Sequence, residues 1–124
     1  MATLTDEERQ QVDVESMLPD GSSATCCTNY ALLIQRMLPG RVTVYGFANE
    51  ENPTAEIVLE GLHPGGHDFA VVAGRYIVDP WLRLVAAYSD AFVFDLLDDK
   101  TSVMYGPPDC WTLMYPGGPV LKCN

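Results

Sequence analysis

The chain has 124 residues, enough for one domain with a genuine core, and its 48% apolar content excludes intrinsic disorder. No apolar run approaches the ~20 residues needed to span a bilayer, so no membrane association is expected. A net charge of −10 repels phosphate backbones and argues against a nucleic-acid partner; it serves solubility or attracts a basic protein, and composition does not choose between these.

The first residues, Met1-Ala2-Thr3-Leu4-Thr5-Asp6-Glu7-Glu8-Arg9, carry neither a basic region nor an apolar one, so no secretory signal is read. The expected location is the cytoplasm, or outside it by an export route that needs no signal peptide. Thr5-Asp6-Glu7-Glu8 reads as a capping box, and Val12, Val14, Met17 and Leu18 follow it, which predicts a short helix over 5–18 ended by Pro19-Asp20-Gly21.

Ser22-Ser23-Ala24-Thr25 then leads into Cys26-Cys27 and an apolar segment. Small polar side chains suit a helix N-cap, and Tyr30, Leu33, Ile34, Met37 and Leu38 repeat at three and four, predicting a helix over 26–38 that Pro39-Gly40 stops. A thiol in the first turn of that helix points at the positive end of its dipole, which favours thiolate.

Residues 41–47 alternate with β-branched side chains and read as a strand; 49–53 read as a turn, 55–59 as a short strand or helix, and 61–66 as a flexible loop. Two apolar runs, 67–73 and 76–81, flank Gly74-Arg75 and predict a hairpin. Residues 82–97 read as helix or irregular chain. Val103-Met104-Tyr105 and residues 111–115 read as final strands. Helix first and antiparallel strands after predict an α+β fold, the nucleophile helix packed with its neighbours on one side of a small antiparallel sheet.

Four cysteines, Cys26, Cys27, Cys110 and Cys123, raise the question of disulfides and zinc. Adjacent cysteines bridge only with strain, a Cys110–Cys123 bridge has no support, and no Cys-x-x-Cys pair accompanies His63 and His67. Neither metal nor cofactor is therefore expected. A cysteine nucleophile needs a base and a group to orient it. His67 begins a strand, whereas His63 sits in the loop and reads as a solvated side chain. With a turn near Ala73-Gly74-Arg75, Asp79 falls at roughly the same level as His67 across the hairpin, within reach of an imidazole–carboxylate hydrogen bond. From spacing alone, a Cys/His/Asp relay and a structural His–Asp pair beside an inert buried thiol weigh evenly.

Cys27-Thr28-Asn29-Tyr30-Ala31-Leu32-Leu33, the following Leu38-Pro39-Gly40-Arg41-Val42, Gly66-His67-Asp68-Phe69-Ala70-Val71-Val72 and Gly74-Arg75-Tyr76-Ile77-Val78-Asp79-Pro80-Trp81 together resemble the core of transglutaminase-like and papain-like cysteine enzymes. The resemblance implies Cys27 as nucleophile, His67 as general base and acid, and Asp79 as orienting carboxylate. Cys26 is the rival nucleophile, but the four-residue step to Ala31 favours Cys27. No glutamine stands just before the cysteines, where papain-like peptidases keep an oxyanion-hole side chain, so the stretch from Gly21 through Thr25 and Cys26 would supply the oxyanion donors through backbone N–H groups, with the N–H of Cys27. Trp81 would shield the relay from water, or simply fill the core at a strand exit. The resemblance thus implies one papain-like domain over 1–124: an N-terminal helix and turn over 1–20, a catalytic core over 22–82, and 83–124 completing the sheet.

The chain is short for general proteolysis. What the resemblance implies is thiol-dependent acyl transfer on an amide of a protein or peptide substrate: glutamine deamidation first, restricted peptide cleavage next, transglutaminase-type cross-linking last. Several small domains of this kind are bacterial toxins or secreted effectors, which would bring a cognate immunity protein as partner. The rival from another class is a non-catalytic acidic binding or immunity protein with a papain-like shell.

Overall fold

The computed structural model describes residues 3–14 and 27–121. Its first helix, α1 (Asp6–Gln11), opens on the expected capping box: Thr5 Oγ1 accepts from the Glu8 N–H and Glu8 Oε1 accepts from the Thr5 N–H, both at 3.0 Å. The helix is shorter than the 5–18 expected. The chain turns out at Val12, whose side chain is fully buried, and Arg83 donates to Asp13 Oδ1 and to the Val14 carbonyl. The remainder of that expected helix lies outside the described residues.

Helix α2 (Cys27–Met37) buries Cys27, Tyr30, Ala31 and Ile34, as the three-and-four spacing requires, and ends where Gly40 takes a φ of +77°. Strand β1 (Val42–Ala48) follows, then a 3-10 turn at Asn49–Glu51 and the short helix α3 (Glu56–Leu59). Strands β2 (Gly66–Val72) and β3 (Tyr76–Val78) form the expected hairpin. Residues 82–97 resolve into helix α4 (Pro80–Leu84), a loop, and a strand β4 (Val93–Asp95) absent from the expectation. Val103-Met104-Tyr105, expected as strand, is instead the end of helix α5 (Asp99–Tyr105). The Asp98 side chain accepts from the Lys100 N–H and starts that helix, and burial of Tyr105 and Thr101 on one side overrides the β preference of its residues. Strand β5 (Thr112–Tyr115) closes the described fold.

The five strands form one antiparallel sheet in the order β4-β3-β2-β1-β5. Strands β1 to β4 are sequential neighbours, and β5 returns to the far side of β1. Helices cover both faces, where a single covered side was expected. Val42, Val44, Ala70, Val72 and Val78 pack with Ala31, Ile34, Leu38 and Val12. On the opposite face Tyr45, Phe47, Phe69, Val71 and Ile77 pack with Ile57, Trp81, Leu82 and Tyr105. The reason is visible in β1 and β2, whose residues are buried at successive positions rather than at every second one. Each apolar side chain so buried contributes roughly 1.5–3 kcal/mol. Among the described residues no helix is long and apolar enough to cross a membrane.

Candidate active site

The site forms where β3 stops short. Its ladder with β2 runs only from Val72↔Tyr76 to Ala70↔Val78, so among the described residues the first positions of β2 have no strand partner on that side. There the Asp68 N–H donates to Cys27 Sγ at 3.3 Å. The first residue of α2 thus takes a backbone donor that a longer β3 would have used. Cys27 is 5% exposed.

Period-two alternation sends the His67 side chain to the aromatic face, beside Phe47 and Phe69. His67 Nε2 and Asp79 Oδ2 are 2.6 Å apart, and both residues are 2% exposed. The expected level pairing of the two does not hold. The register extends to place Asp79 level with Phe69, two residues on from His67. Contact is diagonal: the strand ends at Val78, and Asp79 (φ −134°, ψ 79°) turns to cap α4, which aims its carboxylate back towards His67.

Three donors share the Asp79 carboxylate. Its Oδ1 accepts from the Leu82 N–H at 3.3 Å, and its Oδ2 also accepts from the Tyr105 hydroxyl at 2.7 Å. Burial opposes a charged imidazole at His67. The Asp79 carboxylate outweighs it through charge and hydrogen bond, and the Cys27 sulfur adds to the push, so the His67 pKa is raised to about 10. Among the described residues His67 Nδ1 has no partner at hydrogen-bond geometry, although it is buried. The Tyr105 hydroxyl is held well above its usual pKa, by burial first and then by the charge of Asp79.

The structure therefore brings Cys27, His67, Asp79 and Trp81 together. The Trp81 ring lies 4.9 Å from that of His67, centroid to centroid, and the residue is 3% exposed. Thr25 and Cys26 lie outside the described residues. His63, expected as a solvated side chain, is half-buried with its ring 5.3 Å from Trp81 and 6.4 Å from His67; the Asn49 side chain holds the His63 carbonyl and so fixes the loop.

Three contributors escaped the sequence. Tyr105 arrives from a segment expected as strand, and only its long-range contact reveals it. Asp68 follows the histidine and acts through its backbone. Thr28 follows the cysteine, and its hydroxyl donates to Asp68 Oδ2 at 2.5 Å. A cavity of about 530 Å³ beside β4 and α5, lined by Arg9, Tyr76 and Lys100 among others, contains none of these groups. Among the described residues no cluster of histidine, cysteine and carboxylate side chains is arranged to hold a metal ion. No protein-family model, curated protein or solved structure matches the chain.

Proposed function

We propose that this chain is a thiol-dependent acyl-transfer enzyme acting on an amide of a protein or peptide. Cys27 is the nucleophile, His67 the proton carrier and Asp79 the carboxylate that orients it. The observation that carries the reading is a buried imidazole bound to Asp79 at 2.6 Å, with Nδ1 unpartnered among the described residues and a cysteine sulfur near enough to raise its pKa. A structural His–Asp pair has no need of a sulfur in that place.

In the proposed reaction the Cys27 sulfur attacks the amide carbonyl carbon, and the carbonyl π electrons move to oxygen. On collapse the C–N bond breaks, and the imidazolium of His67 gives its proton to the departing nitrogen. Water then attacks the thioester carbonyl, His67 takes a proton from it, and the C–S bond breaks to leave a carboxylic acid and the Cys27 thiolate beside a His67 that is again an imidazolium. For a glutamine side chain the products are glutamate and ammonia. Asp79 keeps its negative charge throughout and steadies the imidazolium. Trp81 and Tyr105 keep water away from the His67–Asp79 contact, which strengthens it. Hydrolysis of a side-chain amide ranks above peptide cleavage, and both above cross-linking to an amine.

The burial of Cys27, at 5% exposure, favours the second reading, a non-catalytic acidic binding or immunity protein that retains this shell. Iodoacetamide separates the two. A Cys27 engaged by an imidazolium alkylates at pH values where an ordinary thiol, of pKa about 8.5, is nearly inert. The expected outcome is fast, single-site modification at residue 27 near pH 6, lost in His67→Gln, with ammonia or a cleaved product released from glutamine-containing peptides and neither formed by Cys27→Ala. Slow and uniform alkylation of all the cysteines, with no product, would leave the binding protein as the better description.

A further inference from the structure

A groove of about 290 Å³ crosses the sheet beside the nucleophile, lined by Gly46, Phe47, Ala48, Asp68, Thr112 and Met114, with Gly65 at its margin. Strand register explains its shape. Gly46 pairs with Asp68 on one side and with Thr112 on the other, so these three residues form one row across β2, β1 and β5. Two strand spacings make that row about 10 Å long. Its middle position has no side chain. A Cβ on Gly46 would collide with Asp68 Oδ1, so the glycine is what lets the carboxylate lie over the sheet.

The lining has one charge. Ala48 and Met114 supply apolar walls, Phe47 contributes only its backbone because its ring packs on His67 across the sheet, and Asp68 stands at the end nearest Cys27. Its carboxylate accepts from the Thr28 hydroxyl, and no cation among the described residues pairs with it. An apolar trough of this length, closed by one half-buried carboxylate, matches a side chain with an aliphatic stem and a cationic head. The far wall, Met114, is exposed and unbranched, able to follow a flexible stem.

We propose that this groove seats a lysine or arginine of the substrate, next to the reactive amide, and that Asp68 is the residue that selects it. The proposal rests on the reading of Cys27 as nucleophile and adds the substrate class: a basic segment bearing the amide. The chain's net charge of −10 draws such segments in, and the groove decides which residue is held.

The test is a binding measurement that needs no turnover. Blocked peptides with lysine beside a glutamine, and matched peptides with norleucine in its place, are titrated calorimetrically into Cys27→Ala. The lysine peptide is expected to bind at least about tenfold tighter, with the preference shrinking as salt rises and falling to within about twofold in Cys27→Ala/Asp68→Asn. Met114→Lys, an exposed substitution that offers Asp68 a tethered cation, is expected to abolish the preference in the same way. Equal affinities for the two peptides, or a preference that survives both substitutions, overturns the proposal. Because alkylation of Cys27 is measured separately, loss of the groove reading and loss of the enzymatic reading are distinguishable.

Discussion

His67 is sealed from solvent, its side chain 0% exposed, and a lone imidazole so buried would be neutral at pH 7. It holds its proton because the Asp79 carboxylate, 2.6 Å away, stabilises the imidazolium. That has a consequence for stability with a definite sign. The folded pKa, about 10, lies above the unfolded value of about 6.5. The contribution is fully present below pH 6.5 and drains away as pH rises towards 10, with a limiting slope of about 1.4 kcal/mol per pH unit. Tyr88 and Tyr105, whose pKa values are also raised, first by burial, begin to add to this loss only above about pH 10. Urea midpoints taken at pH 6, 8 and 9.5 should therefore fall in the native chain and stay nearly flat in His67→Gln. Parallel profiles would mean that the proton on His67 is not what the fold is holding.

At the scale of elements, α4 and the His67–Asp79 pair share one residue. Asp79 caps the helix through Oδ1 and binds His67 and Tyr105 through Oδ2. Asp79→Asn keeps an acceptor for the cap and loses the charge; Asp79→Ala loses both. Each leaves His67 without its counter-charge, a loss of roughly 3–5 kcal/mol, and the alanine variant is expected to lose about 1 kcal/mol more. Thermal denaturation of the pair reads the difference, and equal melting would show that the cap contributes nothing. The helix α2 and the β2–β3 hairpin were legible in the sequence because periodicity and Gly74 state them locally. Helix α5 was not: Val103 and Tyr105 favour strands, and the burial of Tyr105 against His67 that makes the segment helical is a contact between residues far apart in the chain. Asp98 was the local sign, an N-cap that accepts from the Lys100 N–H. The diagonal His67–Asp79 contact was half legible, since the right residues were named but their register missed by two.

For the molecule as a whole, the order β4-β3-β2-β1-β5 makes the last described strand the guard of an edge. Strand β5 is exposed at all four positions, whereas β1 behind it is buried at six of its seven. A chain ending at Trp111 would uncover the apolar edge of β1, an invitation to pair with another copy. Such a truncation is expected to form soluble oligomers or precipitate, read by light scattering; a monomer of unchanged melting temperature would contradict that role for β5. The α+β composition of the fold was readable in advance, but not the coverage of both sheet faces, because two-sided burial leaves no alternation for the eye to follow. The same open rung of β2 has one more use. Since the amide of residue 68 leans on sulfur where a strand would otherwise stand, alkylating or oxidising that sulfur takes away its acceptor, and deuterium uptake at this single amide becomes a gauge of the chemical state of Cys27, legible before any substrate has been found.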